Sequence, residues 1–211
     1  MPNSSYQPDR SNNKQSQIAN PPLISLVEQF WSGFQSGVDQ AVMKYALSHN
    51  KTIRGWVPAG YRAEVETAPG TYIDSDQGIP TELVKLADLT ETNPELIERF
   101  LSRDTTSPAT KELAMRTLRA SQIDPTTPAI RTELLVADTD ATLILTTGHP
   151  LLQDGTMLMD KFARDYQKPV LFLVFNENGV SDADKLTSAR QWLRDVAPHS
   201  LNVGGPRASH G

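Results

Sequence analysis

Residues 141–175 read ATLILTTGHPLLQDGTMLMDKFARDYQKPVLFLVF. The two ends, ATLILTT (141–147) and PVLFLVF (169–175), are almost wholly apolar and of strand length, as expected for central strands buried on both faces. Between them DGTMLMDKFARDY has helical spacing at Leu158, Phe162 and Tyr166, with Asp154 placed to cap the helix. This is a strand, helix, strand unit. Downstream, Ser181 and Asp184 make a capping pair for a helix that buries Leu186, Ala189, Leu193 and Val196, and LNVGG (201–205) supplies the last strand. Strands alternating with helices predict a mainly parallel sheet with right-handed crossovers, that is, a Rossmann-like three-layer α/β/α fold.

Upstream the text is less regular. An apolar lead-in, LISLV and then FW, reaches the turn SGFQSG and a helix with Val38, Ala41, Val42, Tyr45 and Ala46 on one face. A short strand is predicted at Thr52 to Val57, followed by a long, exposed Pro/Gly loop. Helices are expected to start at Asn93-Pro94 and Ser107-Pro108, within a helical insertion at about 87–130 that ends in the breakers of DPTTPA. Residues 1–22, rich in Asn, Ser, Gln and Pro, bury too little to offset their ordering entropy and read as a disordered tail. Residues 23–211 are then one domain.

Composition narrows the partners. The 211 residues carry a net charge of -5 with no cationic block, which argues against nucleic acid or an acidic membrane. The polar start lacks a secretory h-region and no apolar run approaches a bilayer span, so a cytoplasmic protein is expected. There are no cysteines, and His49, His149, His199 and His210 fall into no ligand spacing, so no metal-binding residues are assigned.

In such sheets ligands bind beyond the carboxyl ends of the strands, where glycine-rich loops enter helices. Three loops qualify. In SGFQSGVD (32–39), Gly33 and Gly37 let the backbone approach an anion, and Gln35 and Ser36 can donate hydrogen bonds. Gly155-Thr156 opens a second helix. In GGPRAS (204–209), Gly205 frees the backbone, Pro206 stiffens the turn and Arg207 can hold an oxyanion through two parallel bonds. All three are expected at one edge of the sheet. Asp39 reads either as a dipole partner in its first helical turn or as a ribose or metal-water ligand. Asp138 and Asp140 read as turn formers at a strand mouth or as a general acid/base or Mg²⁺ pair, and Trp56 as a packing residue.

Taken in order these loops resemble the circularly permuted YpsA-type branch of the SLOG superfamily, a group also called the putative molybdenum carrier family. Residues 32–47, SGFQSGVDQAVMKYAL, resemble its opening SGGQTGVDRAALDAAL. GWVPAGYRAE (55–64), RTELLVADTDATLIL (131–145), DGTMLMDKFARDYQKPVLFL (154–173) and LNVGGPRAS (201–209) resemble its later motifs. The resemblance implies that a strand and turn that open unpermuted relatives stand here at the end. It also implies a phosphorylated, nucleotide-like ligand, a pterin-based molybdenum cofactor being proposed for the carriers, and a homo-oligomer, dimer or tetramer. Carried over, the ligand loops comprise Gly33, Gln35, Ser36, Gly37, Asp39, Gly155, Thr156, Gly205, Pro206 and Arg207, while Arg131 matches a family arginine of unassigned role.

Two departures stand out. Phe34 replaces a glycine, placing a bulky ring where a ligand would approach. Met157, Leu158 and Met159 follow Thr156, where related phosphoribohydrolases carry a catalytic glutamate, so no catalytic residue is assigned. A binding protein is the first reading; a nucleotide N-glycosidase using Asp39 or Asp138 is the alternative.

Overall fold

A computed structural model describes residues 23–76, 78–91, 108, 128–148, 155–176 and 179–210. The expected tail, the helix starts at Asn93 and Ser107 and the Asp154 cap lie outside the described residues.

Eight strands and five α-helices are described: β1 (Gln29–Ser32), α1 (Val38–Ser48), β2 (Thr52–Val57), β3 (Ala63–Ala68), β4 (Thr71–Ser75), α2 (Thr81–Leu86), β5 (Asp88–Glu91), α3 (Pro128–Ala137), β6 (Ala141–Thr146), α4 (Gly155–Asp165), β7 (Val170–Val174), α5 (Asp182–Val196) and β8 (Ser200–Gly204). Six of the strands form a sheet in the order β5-β2-β1-β8-β6-β7, parallel at every pairing. The last strand in sequence is thus central, hydrogen-bonded to β1 on one side and β6 on the other, and buried along its whole length. The strand alternation sorts side chains to two layers. Ala141, Leu143 and Leu145 of β6 join α1, α2 and α5 through Met43, Leu83 and Leu193, whereas Ile144 joins α4 through Met159 and Phe162 on the other face. On that second face Ile130 and Leu134 of α3 pack with Trp56. This is the expected three-layer Rossmann-like fold.

Local corrections have physical reasons. The strand preceding the first loop is Gln29–Ser32, while LISL, the first part of the apolar lead-in, forms a turn of 3-10 helix. The inner face of α1 is Asp39, Met43 and Ala46, and Tyr45 is 54% exposed, because a buried carboxylate turns the helix from its purely apolar stripe. Part of the expected exposed loop is an antiparallel hairpin, β3 with β4. Pro128, read as a breaker, stands at the first position of α3, where the missing N–H costs nothing. At the near end of the 87–130 stretch, Asp88–Glu91 pair with β2 as an edge strand. PVLFLVF, expected to be central, is the other edge, half-covered along most of β7. Ser181 does cap α5, accepting from the Asp184 N–H at 3.2 Å, but Leu186 is 48% exposed and Lys185 is buried in its place.

The exit of α3 is closed by a cation. Lys168 Nζ donates to the carbonyls of Val136 at 3.0 Å, Ala137 at 2.5 Å and Thr139 at 2.6 Å. A positive charge at a helix C-terminus that also satisfies orphan carbonyls is worth more than an ordinary hydrogen bond. Lys168→Met is expected to cost about 2 kcal/mol, seen as a fall in Tm of roughly 4–8 °C.

Candidate functional site

Moving from β1 to β2 the chain crosses by α1 on one face, and from β6 to β7 by α4 on the other, so the crevice opens beyond the carboxyl ends of β1, β8 and β6. A polar cavity of about 80 Å³ lies there. Of the residues expected to hold a ligand, Gly33, Gln35, Asp39, Gly155, Thr156, Gly205 and Arg207 line it. Ser36, Gly37 and Pro206 do not. Gly37 and Pro206 instead join the two loops: a Cβ on Gly37, whose φ is 81°, would stand 2.7 Å from the Pro206 carbonyl oxygen. Only glycine permits that approach.

Asp39 gathers the site. Its carboxylate accepts from the Gln35 N–H at 3.3 Å, and also from the Ser32 hydroxyl and the Gly205 N–H. Burial pushes the carboxyl up to about 6, against the lowering effects of the nearby Arg131 and these donors. The first loop and the turn after β8 therefore share one anchor.

Arg131, from α3, lines the same cavity although its role could not be assigned from sequence. Its guanidinium packs on Gly33, where an added Cβ would lie 2.8 Å from Nε. Gln35 is only 7% exposed; its Nε2 reaches the Arg62 carbonyl at 3.4 Å, and its Oε1 is buried with no hydrogen-bond partner among the described residues. With Arg131, Arg207 and the N-terminus of α4 on its walls, the cavity suits an oxyanion, and the Gln35 oxygen suits a donor on the same ligand.

Phe34 does not obstruct this. Its backbone is left-handed, with φ of 57°, and the ring is fully buried in the core, over Gly55. The expected steric block is corrected: the side chain points away from the cavity.

Glu64, at the start of β3, was missed. It accepts from the hydroxyl of Ser36 at 2.7 Å and, through its other oxygen, from the hydroxyl of Ser209 at 2.7 Å. The Ser209 N–H adds 3.3 Å, and Ser36 in turn accepts from the Ala208 N–H at 3.2 Å. Burial raises the Glu64 carboxyl, but the Ser209 and Ser36 hydrogen bonds outweigh it and hold the group below its ordinary value. The family-like RAE triplet was the one available signal.

Asp138 and Asp140 stand at the amino end of β6, the opposite edge from the cavity. Asp138 accepts from the Trp56 indole N–H at 2.8 Å, and Asp140 ties β6 to β8 by accepting from the Ser200 N–H at 2.8 Å. Both are structural.

Glu133 of α3 is buried beside the cavity wall, and burial pushes its carboxyl up to about 7, against a hydrogen bond from Tyr166 at 3.1 Å. Because the folded state holds this proton more tightly than the unfolded chain, its stabilising effect is full at low pH and is lost as pH rises from about 4.5 to about 7. Glu133→Gln is expected to exceed the wild type by about 2 kcal/mol at pH 8, with no advantage at pH 4.5, by thermal melts.

Among the described residues no cluster of three His, Cys, Asp or Glu could hold a metal ion, and no helix is long and apolar enough to cross a membrane. The sequence matches the model of the circularly permutated YpsA SLOG family over residues 30–93 and 102–211. No curated protein matches it. The fold is similar to a solved structure described as a "Putative molybdenum carrier protein" from Syntrophus aciditrophicus, at 26% identity and a TM-score of 0.58, covering 88% of this chain and 85% of that one.

Proposed function

We propose that this chain, which belongs to the circularly permutated YpsA SLOG family, is a binding protein for a phosphorylated, nucleotide-like ligand. The phosphate end sits in the polar cavity. The observation that carries this reading is the convergence of three loops distant in sequence, at Gly33, Gly155 and Gly205, on one cavity flanked by Arg131 and Arg207. At about 80 Å³ it is far smaller than the ~300–1,000 Å³ that enclose a drug-sized ligand, so it suits one end of a molecule.

A molybdopterin-type molybdenum cofactor fits this donor set at its phosphate. Arg131, Arg207 and Thr156 would hold that end, and the cofactor would carry its metal on its own sulfur atoms, since the chain has no cysteine. The description of the structural neighbour supports this finer reading. We place the protein in the cytoplasm as a homo-oligomer.

A second reading, an N-glycosidase, is favoured by one observation: Asp39 lines the cavity with a carboxyl near 6, suited to proton transfer. Calorimetric titration with AMP and ribose 5-phosphate, combined with an assay for released adenine, separates the two. Binding without turnover is expected; base release would favour the enzyme, and absence of binding would remove both. Glu64→Ala should weaken AMP about tenfold and Glu64→Gln less, because the amide still accepts from one serine.

A further inference from the structure

A second cavity, of about 280 Å³, opens at the carboxyl ends of β6 and β7. Its lining is apolar, with Val38, Leu145, Phe175, Pro206 and Ala208 prominent. Leu145 points to the α1 face of the sheet, whereas the polar cavity is walled by α3 and α4 on the opposite face. The turn after β8 separates them, through the contact of Gly37 with Pro206. Arg207 lines both.

We infer that this apolar cavity receives the planar heteroaromatic ring of the same ligand whose phosphate lies in the polar cavity, the ligand passing Arg207 at the sheet edge. The inference rests on the phosphate reading above and adds the ligand's second half. Volume and chemistry support it. The space matches a ring system better than a whole nucleotide, and an apolar lining favours a flat π-surface over a hydroxylated sugar. The Thr146 hydroxyl, which also borders this space, already donates to the Gly148 carbonyl at 2.7 Å and so is not offered to a ligand. Phe175 is held in place at one side by Lys185, whose Nζ stands 5.9 Å from the ring centroid.

The test is calorimetric titration of the full chain with ribose 5-phosphate, AMP and GMP. One nucleotide should bind at least about tenfold more tightly than ribose 5-phosphate, the increment of the buried ring. Phe175→Ala, which removes a ring wall, and Thr147→Trp, which fills the cavity from its exposed rim, should each remove that increment and leave ribose 5-phosphate affinity unchanged. Equal affinity for all three, or variants that weaken ribose 5-phosphate as much as the nucleotide, would overturn the ring site while leaving the phosphate reading intact. If none of the three binds, the phosphate reading falls and the ring site with it.

Discussion

Phe34→Ala is expected to lower the unfolding free energy by about 3–5 kcal/mol, which for a domain of this size removes a large share of its stability. The ring is fully buried in the core that joins α1 to the sheet, and it packs directly on Gly55, where a Cβ would come within 2.9 Å of two ring carbons. Deleting it leaves a void that neighbours set on a six-stranded sheet cannot readily close. The residue also bears a backbone cost, since a φ of 57° disfavours any side chain. Phe34→Gly should therefore be more stable than Phe34→Ala by about 1 kcal/mol, the reverse of the usual order. Chemical denaturation of the two variants reads both effects. The resemblance placed glycine here, and the physical exchange is clear: local freedom given up for a buried ring.

Arg131→Ala should be the most damaging change at the site. The guanidinium neighbours Asp39 and packs on Gly33, so its loss strips the Asp39 carboxylate of the charge that lowers its pKa. That pKa, already about 6, rises further. A group whose folded pKa is raised destabilises the fold as pH climbs through the interval between its unfolded and folded values, and the variant widens that interval upward. The expected loss is about 3 kcal/mol at pH 8 and distinctly less at pH 5, where Asp39 can take a proton instead. Thermal melts at the two pH values check this. AMP affinity should fall by about a hundredfold, because a charged, bidentate-capable donor has gone from a cavity with few others.

What the sequence made legible follows from local physics. Thr52–Val57, the Ser181 cap and the apolar core of β6 are set by near neighbours, and each is found where alternation or capping puts it. The displaced strand Ser200–Gly204 was legible through its motif and lies at the sheet centre. What was hidden depends on partners far along the chain. The face of α1 follows Asp39, whose anchors Ser32 and Gly205 lie at the end of β1 and in the turn after β8. Arg131 and Glu64 reach the site from α3 and β3, elements that the prolines of DPTTPA and the polar alternation of AEVETA disguised as loop. Gly37 and Pro206 share the backbone freedom of an anion loop, yet they stand off the polar cavity, in a close loop-to-loop contact beside the apolar one.

A cavity that holds the phosphate end of a ligand should retain that ligand through purification. Native mass spectrometry on protein purified without added ligand, wild type beside Arg131→Ala, tests it most directly. The wild type is expected to carry an adduct whose fragments include a phosphate ester, and the variant to lose it while remaining folded at pH 5. An adduct without phosphate, or one retained in equal amount by folded Arg131→Ala, would contradict it.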